Sequence, residues 1–366
     1  MSQPPAFATF ESSSGARVRR LPVEAFPNLW ANLYLVQSGD ILALIDSGSG
    51  SDKSNDDLQR GFETAGYRFS ELTHILLTHG HIDHYGGLSF LSERTQAQIG
   101  LHELDWQTIS HHEARLAVMS HRLDDFLASA GVSSERRSEL LDMYRFTKAL
   151  YRSVPVDFTY EACEMEIGPF KLVHVPGHCP GHVAIKLDDM VFCGDLVLEH
   201  ITPHQSPEEL TPFMGVRHYL DSLAVLERWA DGARLILNGH DEPISDLPAR
   251  IADTRQHLSR RIDQTLAAAC APRTLAEITE QVYGVMGGYN ALLVIEKTGA
   301  YVEYLYQRGR LEITNFDELE NGKGPFPIRY RCVDGIGSSF APSRSETGLS
   351  QKQSSGQKPD LSRSVL

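Results

Sequence analysis

The segment at residues 78–87, THGHIDHYGG, is the sequence feature that most limits how this chain can fold. It follows a short apolar segment at residues 73–77 that predicts a β-strand, and a helical pattern follows it. Its four ligand-type side chains are His79, His81, Asp83 and His84. The first two are two residues apart, so on an extended backbone both imidazoles point the same way. Imidazole and carboxylate groups together suit zinc, iron or manganese, so this strand end predicts a metal site.

Three later segments place the same types of side chain at the ends of predicted strands. His178 follows a strand pattern at residues 170–175, Asp195 follows one at 190–193, and His240 follows one at 234–237. In layered α/β proteins the catalytic groups lie on loops at the carboxyl ends of strands. We therefore expect these side chains and the first four to lie at one edge of a sheet.

The order HGHIDH, GHCPGH, GD and GH, over about residues 20–248, resembles the metallo-β-lactamase-fold hydrolases, especially the branch that is similar to glyoxalase II. The resemblance implies an α/β fold, an αββα sandwich with its site at one edge. It also implies two divalent metal ions per chain, zinc by preference and otherwise iron or manganese. The implied ligands are His79, His81 and His178 for the first ion, Asp83, His84 and His240 for the second, and Asp195 as a bridge between them.

Four more side chains are weaker candidates for contacting substrate or supporting the ligands: His182, Tyr85, His200 and His204. In the family the first histidine of GHxxGH is the ligand, which implies His178 and leaves His182 behind it. Lactone-cleaving relatives carry a tyrosine soon after the bridging aspartate, and residues 196–204 contain none. His200 and His204 are therefore either substrate-side donors or ordinary surface and structural histidines.

The resemblance implies a hydrolase in which a metal-bridging hydroxide attacks the carbonyl of a thioester, ester or lactone. Asp83 would also be catalytic, because it can orient the nucleophile and accept its proton. A metal-dependent nuclease or phosphodiesterase that uses the C-terminal part for nucleic acid is the alternative. A metal-binding regulatory protein is a third interpretation, and it would be expected to lack a ligand, whereas every ligand position is filled.

The chain divides by pattern into five segments. They are a lead-in at 1–19, a catalytic domain at 20–248, a helical insertion within it at 103–153, a helical, winged-helix-like domain at 249–335, and a disordered tail at 336–366. The tail is rich in Ser, Gln, Lys and Gly and poor in large apolar residues, which is typical of disorder. The insertion predicts about three helices, and its apolar residues Met119, Leu123, Phe126, Met143 and Phe146 either line a lid or pack helix against helix.

Patterning also predicts the remaining elements. The further strands are at 33–36, 41–45 and 183–187, with a wing strand at 311–313, and the helices are at 56–65, 86–94, 216–230, 249–270, 274–283 and 288–308.

The formal net charge of −14 argues against nucleic acid as the partner. Four arginines on one predicted helix, Arg250, Arg255, Arg260 and Arg261, could form a phosphate stripe, but acidic residues interleave them. No apolar run is long enough to span a membrane, and five dispersed cysteines without a CxxC pair are typical of a reducing compartment. We expect a small-molecule acyl substrate, no nucleic-acid or membrane partner, and a cytoplasmic location; the sequence does not set the oligomeric state.

Overall fold

The computed structural model describes residues 5–322 and 326–333, so the predicted tail at 336–366 lies outside the described residues. The strands are β1 Ala8–Glu11, β2 Arg17–Phe26, β3 Leu29–Ser38, β4 Ile41–Ile45, β5 His74–Leu76, β6 Gln98–Leu101, β7 Phe158–Thr159, β8 Glu166–Ile167, β9 Phe170–His174, β10 Val183–Leu187, β11 Met190–Phe192, β12 Leu235–Leu237, β13 Arg273–Thr274, β14 Leu311–Ile313 and β15 Arg329–Cys332. The α-helices are α1 Asp52–Ala65, α2 Ile82–Tyr85, α3 Leu88–Ser92, α4 Trp106–Ser110, α5 His112–Ser129, α6 Ser134–Lys148, α7 Val216–Trp229, α8 Leu247–Ala268, α9 Leu275–Tyr283, α10 Gly288–Tyr306 and α11 Phe316–Asn321.

Two large sheets form the centre of the fold. The first has the order β1-β2-β3-β4-β5-β6-β7, antiparallel from β1 to β4 and parallel from β4 to β7. The second has the order β12-β11-β10-β9-β8, in which only the β11–β12 pair is parallel. Parallel neighbours bring the carboxyl ends of β4, β5 and β6 to one edge of the first sheet, which is where the ligand-bearing loop after β5 begins.

Three buried apolar clusters separate four layers. One cluster fills the space between the sheets, where the ring centroids of Tyr34 in β3 and Phe192 in β11 lie 5.1 Å apart. A second joins the outer face of the first sheet to α1 and α3, through residues such as Leu58 and Leu88. A third joins the outer face of the second sheet to α7 and α8, through residues such as Leu223 and Ile251. The predicted αββα sandwich is confirmed.

The helical insertion and the C-terminal helices share that third cluster. Met119, Leu123 and Phe126 of α5 are buried in it together with residues of α8 and α10, so these three side chains pack helix against helix. Phe146 of α6 points outward and is 74% exposed. The described residues, 5–322 and 326–333, belong to one compact unit. The division of the chain at residue 248 stays a prediction.

Several predicted bounds agree with the structure, and the N-terminal strands were not predicted. β4, β10 and β14 have the expected limits, and the insertion contains three helices. No element was expected before residue 20, yet β1 lies there and β2 begins at Arg17. β1 is an edge strand that alternates half-buried and exposed residues, so it has too few apolar side chains to show a pattern.

The C-terminal part is built in the order α8, β13, α9, α10, β14, β15, and its three strands form a small sheet. The expected strand at residues 311–313 is β14, which pairs antiparallel with β15. A capping box formed by Thr274 and Glu277 starts α9. The winged-helix interpretation of this part stays a prediction. Nowhere in the described residues is a helix both long and apolar enough to cross a bilayer.

Candidate metal centre

All seven predicted ligands meet at one edge of the two sheets. His79 and His81 follow β5, Asp83 and His84 lie in the short helix α2, and His178, Asp195 and His240 follow β9, β11 and β12. Among the described residues, three groups have their donor atoms within 4.8 Å of one another: His79 with His81 and His178, His79 with His84 and Asp195, and Asp83 with His84 and His240. The structure thus brings together residues that are up to 161 positions apart in the sequence. They form two adjoining clusters, one of His79, His81 and His178 and the other of Asp83, His84 and His240.

The Asp195 carboxylate lies between the two clusters. Its Oδ2 is 3.6 Å from Nε2 of His178 and 2.9 Å from Nε2 of His240, and its Oδ1 is 3.5 Å from Nε2 of His84. Gly239 is required beside it, because a Cβ at that position would overlap Oδ1 of Asp195. This placement is the one that a bridging carboxylate needs.

Asp46, which no sequence motif marks, holds the imidazole of His84 in place. It directly follows β4 and has a positive φ of 60°, and its carboxylate accepts hydrogen bonds from the backbone N–H of Thr78 (2.7 Å) and the Thr78 hydroxyl (2.8 Å). Its Oδ2 also lies 2.9 Å from Nδ1 of His84. A carboxylate behind a histidine fixes the ring orientation and leaves Nε2 free to bind. The signal that could have found it is an aspartate that directly follows a predicted strand.

Backbone carbonyls hold two more of the imidazoles. Nδ1 of His178 donates to the carbonyl of His204 (2.9 Å), and Nδ1 of His240 donates to the carbonyl of Trp30 (2.6 Å). In both rings Nε2 is then directed to the centre. The rigid placement of these rings comes from partners that are distant in sequence.

Asp105 joins the two loops that carry the first three histidines. This buried carboxylate accepts the backbone N–H groups of Gly80 (2.8 Å) and Gly181 (3.1 Å) and the thiol of Cys179 (3.4 Å). Both glycines leave room for it, because a Cβ on Gly80 or Gly181 would come within 3.0 or 2.7 Å of its Cγ. Burial raises the pKa of Asp105 to about 6, although the Gly181 N–H opposes the rise. No sequence motif marked this residue.

The electrostatics of His79, His81 and His178 suit metal binding, whereas the Asp195 carboxylate, against the effect of burial, raises the pKa of His84 and raises that of His240 to about 9. Burial and neighbouring histidines hold the pKa of His79 and of His81 well below the usual value, and burial lowers the pKa of His178 to about 4. These rings are neutral at pH 7 and keep a lone pair, as a metal ligand must. Within the described residues, Nε2 of His79, Nε2 of His84 and Oδ1 of Asp195 are buried with no hydrogen-bond partner. The great majority of buried polar atoms in proteins are paired, so three unpaired ones close together, with this N/O donor set, fit divalent cations.

The weaker candidates have separate positions. His182 is fully buried and its Nε2 accepts the backbone N–H of Asp195 (3.1 Å), so it lies behind Asp195. Tyr85 is buried and its hydroxyl lies 3.0 Å from Nδ1 of His112.

The other two weaker candidates are His204 and His200. Nε2 of His204 lies 2.9 Å from Oε2 of Glu296, and its backbone carbonyl accepts the hydrogen bond from His178. His200 is exposed, which agrees with the surface interpretation of that residue.

Two members of the predicted arginine stripe are already engaged. The guanidinium of Arg250 donates to the carbonyls of Leu198 and Ile201, and Arg255 forms an ion pair with Glu227 at 3.1 Å. These contacts connect α8 to the neighbouring loop and to α7. Because Arg250 and Arg255 are engaged in them, fewer arginines of the stripe remain to bind phosphate.

Comparison with known families agrees with the fold and with this geometry. The family model described as Metallo-beta-lactamase superfamily matches residues 31–240, which is more than half of the chain and includes every candidate ligand. The chain belongs to the metallo-β-lactamase superfamily. It is therefore a metallo-hydrolase, and membership of this superfamily implies divalent metal ions.

Individual superfamily members are similar to most of the chain. The probable metallo-hydrolase YqjP of Bacillus subtilis (strain 168) is 22% identical over 290 residues, which cover 75% of this chain and 86% of that protein. An atrochrysone carboxyl ACP thioesterase of Claviceps purpurea (strain 20.1) is 24% identical over 263 residues, 69% of this chain and 66% of the relative. The crystal structure of a metallo-β-lactamase family protein of Thermus thermophilus is 26% identical, with a TM-score of 0.66 over 86% of this chain and 98% of that chain.

Proposed function

We propose that this chain binds two divalent metal ions, zinc by preference, and hydrolyses a thioester, ester or lactone. His79, His81 and His178 would hold the first ion, and Asp83, His84 and His240 the second, with Asp195 shared by both. The observation that carries the proposal is the position of the Asp195 carboxylate, within 3.6 Å of histidines from both clusters. Iron and manganese accept the same nitrogen and oxygen donors.

When bound, a pair of such ions supplies a nucleophile at neutral pH and polarises the carbonyl that it attacks. The residues of the chain fix the geometry for this chemistry. Asp46 and the carbonyls of His204 and Trp30 hold three imidazoles in position, so the site need not reorganise during the reaction.

Asp83 is the residue proposed to handle the proton. Its side chain is 15% exposed, against 7% for Asp195, so one carboxylate face is open to the reaction space. Oδ2 of Asp83 lies 3.5 Å from Nε2 of His240, which orients the carboxylate without closing it off. A carboxylate in this position can accept a proton from the attacking water and pass it to the leaving group.

Two observations favour an acyl substrate, a small molecule rather than a nucleic acid. One of the superfamily relatives is a thioesterase by name. The net charge of −14 and the engaged arginines of α8 are unfavourable for a polyphosphate. The cytoplasmic location also stays a proposal.

A substrate panel tests the proposal. Metal-loaded protein is offered acyl thioesters of glutathione and coenzyme A, a lactone, a β-lactam, a phosphodiester and single-stranded RNA. We expect turnover of a thioester, ester or lactone that is lost on chelation and restored by metal. Chelated protein and a His79→Ala variant serve as controls for a contaminating activity. Dominant RNA cleavage that declines steeply with salt would instead support the nuclease alternative.

A further inference from the structure

A chain of hydrogen bonds connects the helical insertion to the metal loop, residues 78–87, which carries four of the proposed ligands. The hydroxyl of Tyr85, next to His84, donates to Nδ1 of His112 at 3.0 Å, and Nε2 of that ring donates to the backbone carbonyl of Lys148 at 2.9 Å. The backbone N–H of His112 is in turn held by Ser153 at 2.9 Å. The last turn of α6 is thereby fixed beside the loop that carries Asp83 and His84.

This docking brings the end of α6, which carries Lys148, close to the segment that carries Asp83 and His84. Nζ lies 5.1 Å from the centroid of the Tyr144 ring. It is close enough to Asp83 and His81 for its charge to act on both side chains, and close enough to Glu296 of α10 for the same effect. Among the described residues, no carboxylate lies within ion-pair distance of Nζ and no hydrogen-bond acceptor is seen for it.

Glu296 does not neutralise this ammonium group directly. Its Oε2 is 2.9 Å from Nε2 of His204, so it is already committed to a partner on the loop that supports His178. Lys148 is thus a partly buried cation whose ammonium group has no charge-assisted hydrogen bond within the described residues. An ammonium has three donors, and an anionic oxygen is the partner that satisfies them best.

Three neutral donors lie near the same charged groups. The hydroxyls of Tyr144 and Tyr151, from the insertion, and of Tyr289, from α10, all lie where the charges of Asp83 or Glu296 act on them. Burial raises the pKa of all three, that of Tyr151 to about 12. At neutral pH each of them therefore carries its proton and can donate to an oxygen-rich ligand.

We propose that Lys148 is a specificity residue that holds an anionic oxygen group of the substrate, a carboxylate or a phosphate, beside the metal centre. This inference rests on the proposed acyl hydrolase function. The anion belongs either to the acyl part of the substrate or to its leaving group, and both sources present the same chemistry to the ammonium. In a partly desolvated site such a charged hydrogen bond stabilises by about 1.5–3 kcal/mol, or roughly ten- to hundredfold in binding.

Three esters of similar size separate the two sources. They are 4-nitrophenyl pentanoate, which is neutral, the 4-nitrophenyl monoester of glutaric acid, with the carboxylate on the acyl side, and 4-carboxyphenyl pentanoate, with it on the leaving group. We expect one anionic ester to have a KM at least about tenfold below that of the neutral ester. Lys148→Met should abolish that ratio through KM, and Lys148→Arg should restore most of it because it returns the charge.

Lys171→Met is the matched control, because Lys171 is 69% exposed on β9 and, among the described residues, forms an ion pair only with Glu166 on the adjacent strand. It should keep the KM ratio of the unaltered protein. The unaltered protein also tests the proposal without any variant. Its preference for the anionic ester should fall as salt rises from about 0.05 to 0.5 M, since screening weakens the attraction, and glutarate or 4-hydroxybenzoate should inhibit competitively.

The outcomes separate the two proposals. If no ester is hydrolysed by metal-loaded protein, the acyl hydrolase function fails, and calorimetry with glutarate and 4-hydroxybenzoate still tests the Lys148 site. If esters are hydrolysed with equal KM values, or with a preference that survives in Lys148→Met, the function stands and the role of Lys148 is overturned.

Discussion

Replacement of Asp105 by asparagine tests whether this buried carboxylate organises the metal loops. Its two oxygens each accept one backbone N–H, from Gly80 at 2.8 Å and from Gly181 at 3.1 Å. Asparagine keeps one acceptor oxygen and replaces the other with an NH₂ group that only donates, so one of the two buried backbone N–H groups would lose its partner. That loss costs about 1–3 kcal/mol of unfolding free energy. Because both loops carry ligands, we also expect metal affinity to fall roughly ten- to a hundredfold.

The two effects are measured separately at pH 8, above the pKa of about 6 of Asp105, so that the unaltered side chain is ionised. Urea unfolding gives the stability, and titration with a competing chelator gives the metal affinity. Asp221→Asn is the control, because Asp221 is 65% exposed and, in the part of the chain that the structure describes, its one ion pair is with Arg217. Unchanged metal affinity in Asp105→Asn would refute the view that the carboxylate positions the ligands, even if stability fell.

Three further changes address the centre itself. Asp195→Ala should lower kcat/KM more than any single histidine-to-alanine change, as measured by steady-state kinetics, because the carboxylate is common to both clusters. Asp83→Asn should keep most of its thermal stability yet lose kcat at least about a hundredfold, whereas near-normal turnover would remove Asp83 from the reaction. Gly239→Ala should weaken metal binding at least about tenfold in chelator competition, because its Cβ would displace the Asp195 carboxylate.

The sequence was informative about the ligands because metal chemistry restricts both residue type and position. Histidine and aspartate at the ends of apolar strands can be recognised without coordinates, and the structure brings all of them to one edge. The αββα sandwich was predicted from the resemblance to the metallo-β-lactamase fold, whereas the limits of β4 and β10 were predicted from their mostly apolar sequences. Strand β1 had no such signal, because edge strands bury little.

The supporting residues could not be predicted, because their partners are set by tertiary contact. Asp105 lies in the helical insertion and reaches Gly181, 76 positions away, through a hydrogen bond that no local pattern announces. Lys148 is an ordinary lysine near the end of a polar helix until Tyr85 and His112 fix that helix end beside the metal loop. Periodicity identifies the helix face that packs against the core, but it does not predict which exposed side chain contacts a distant loop.

The metal content of the purified protein tests the central claim most directly. Protein prepared without chelators, then reconstituted with excess zinc and freed of unbound metal, is analysed for zinc, iron and manganese against protein concentration. The two adjoining clusters joined by Asp195 predict close to two ions per chain and, in Asp195→Ala, clearly fewer. One ion or fewer per chain after reconstitution of the unaltered protein would contradict the dinuclear centre.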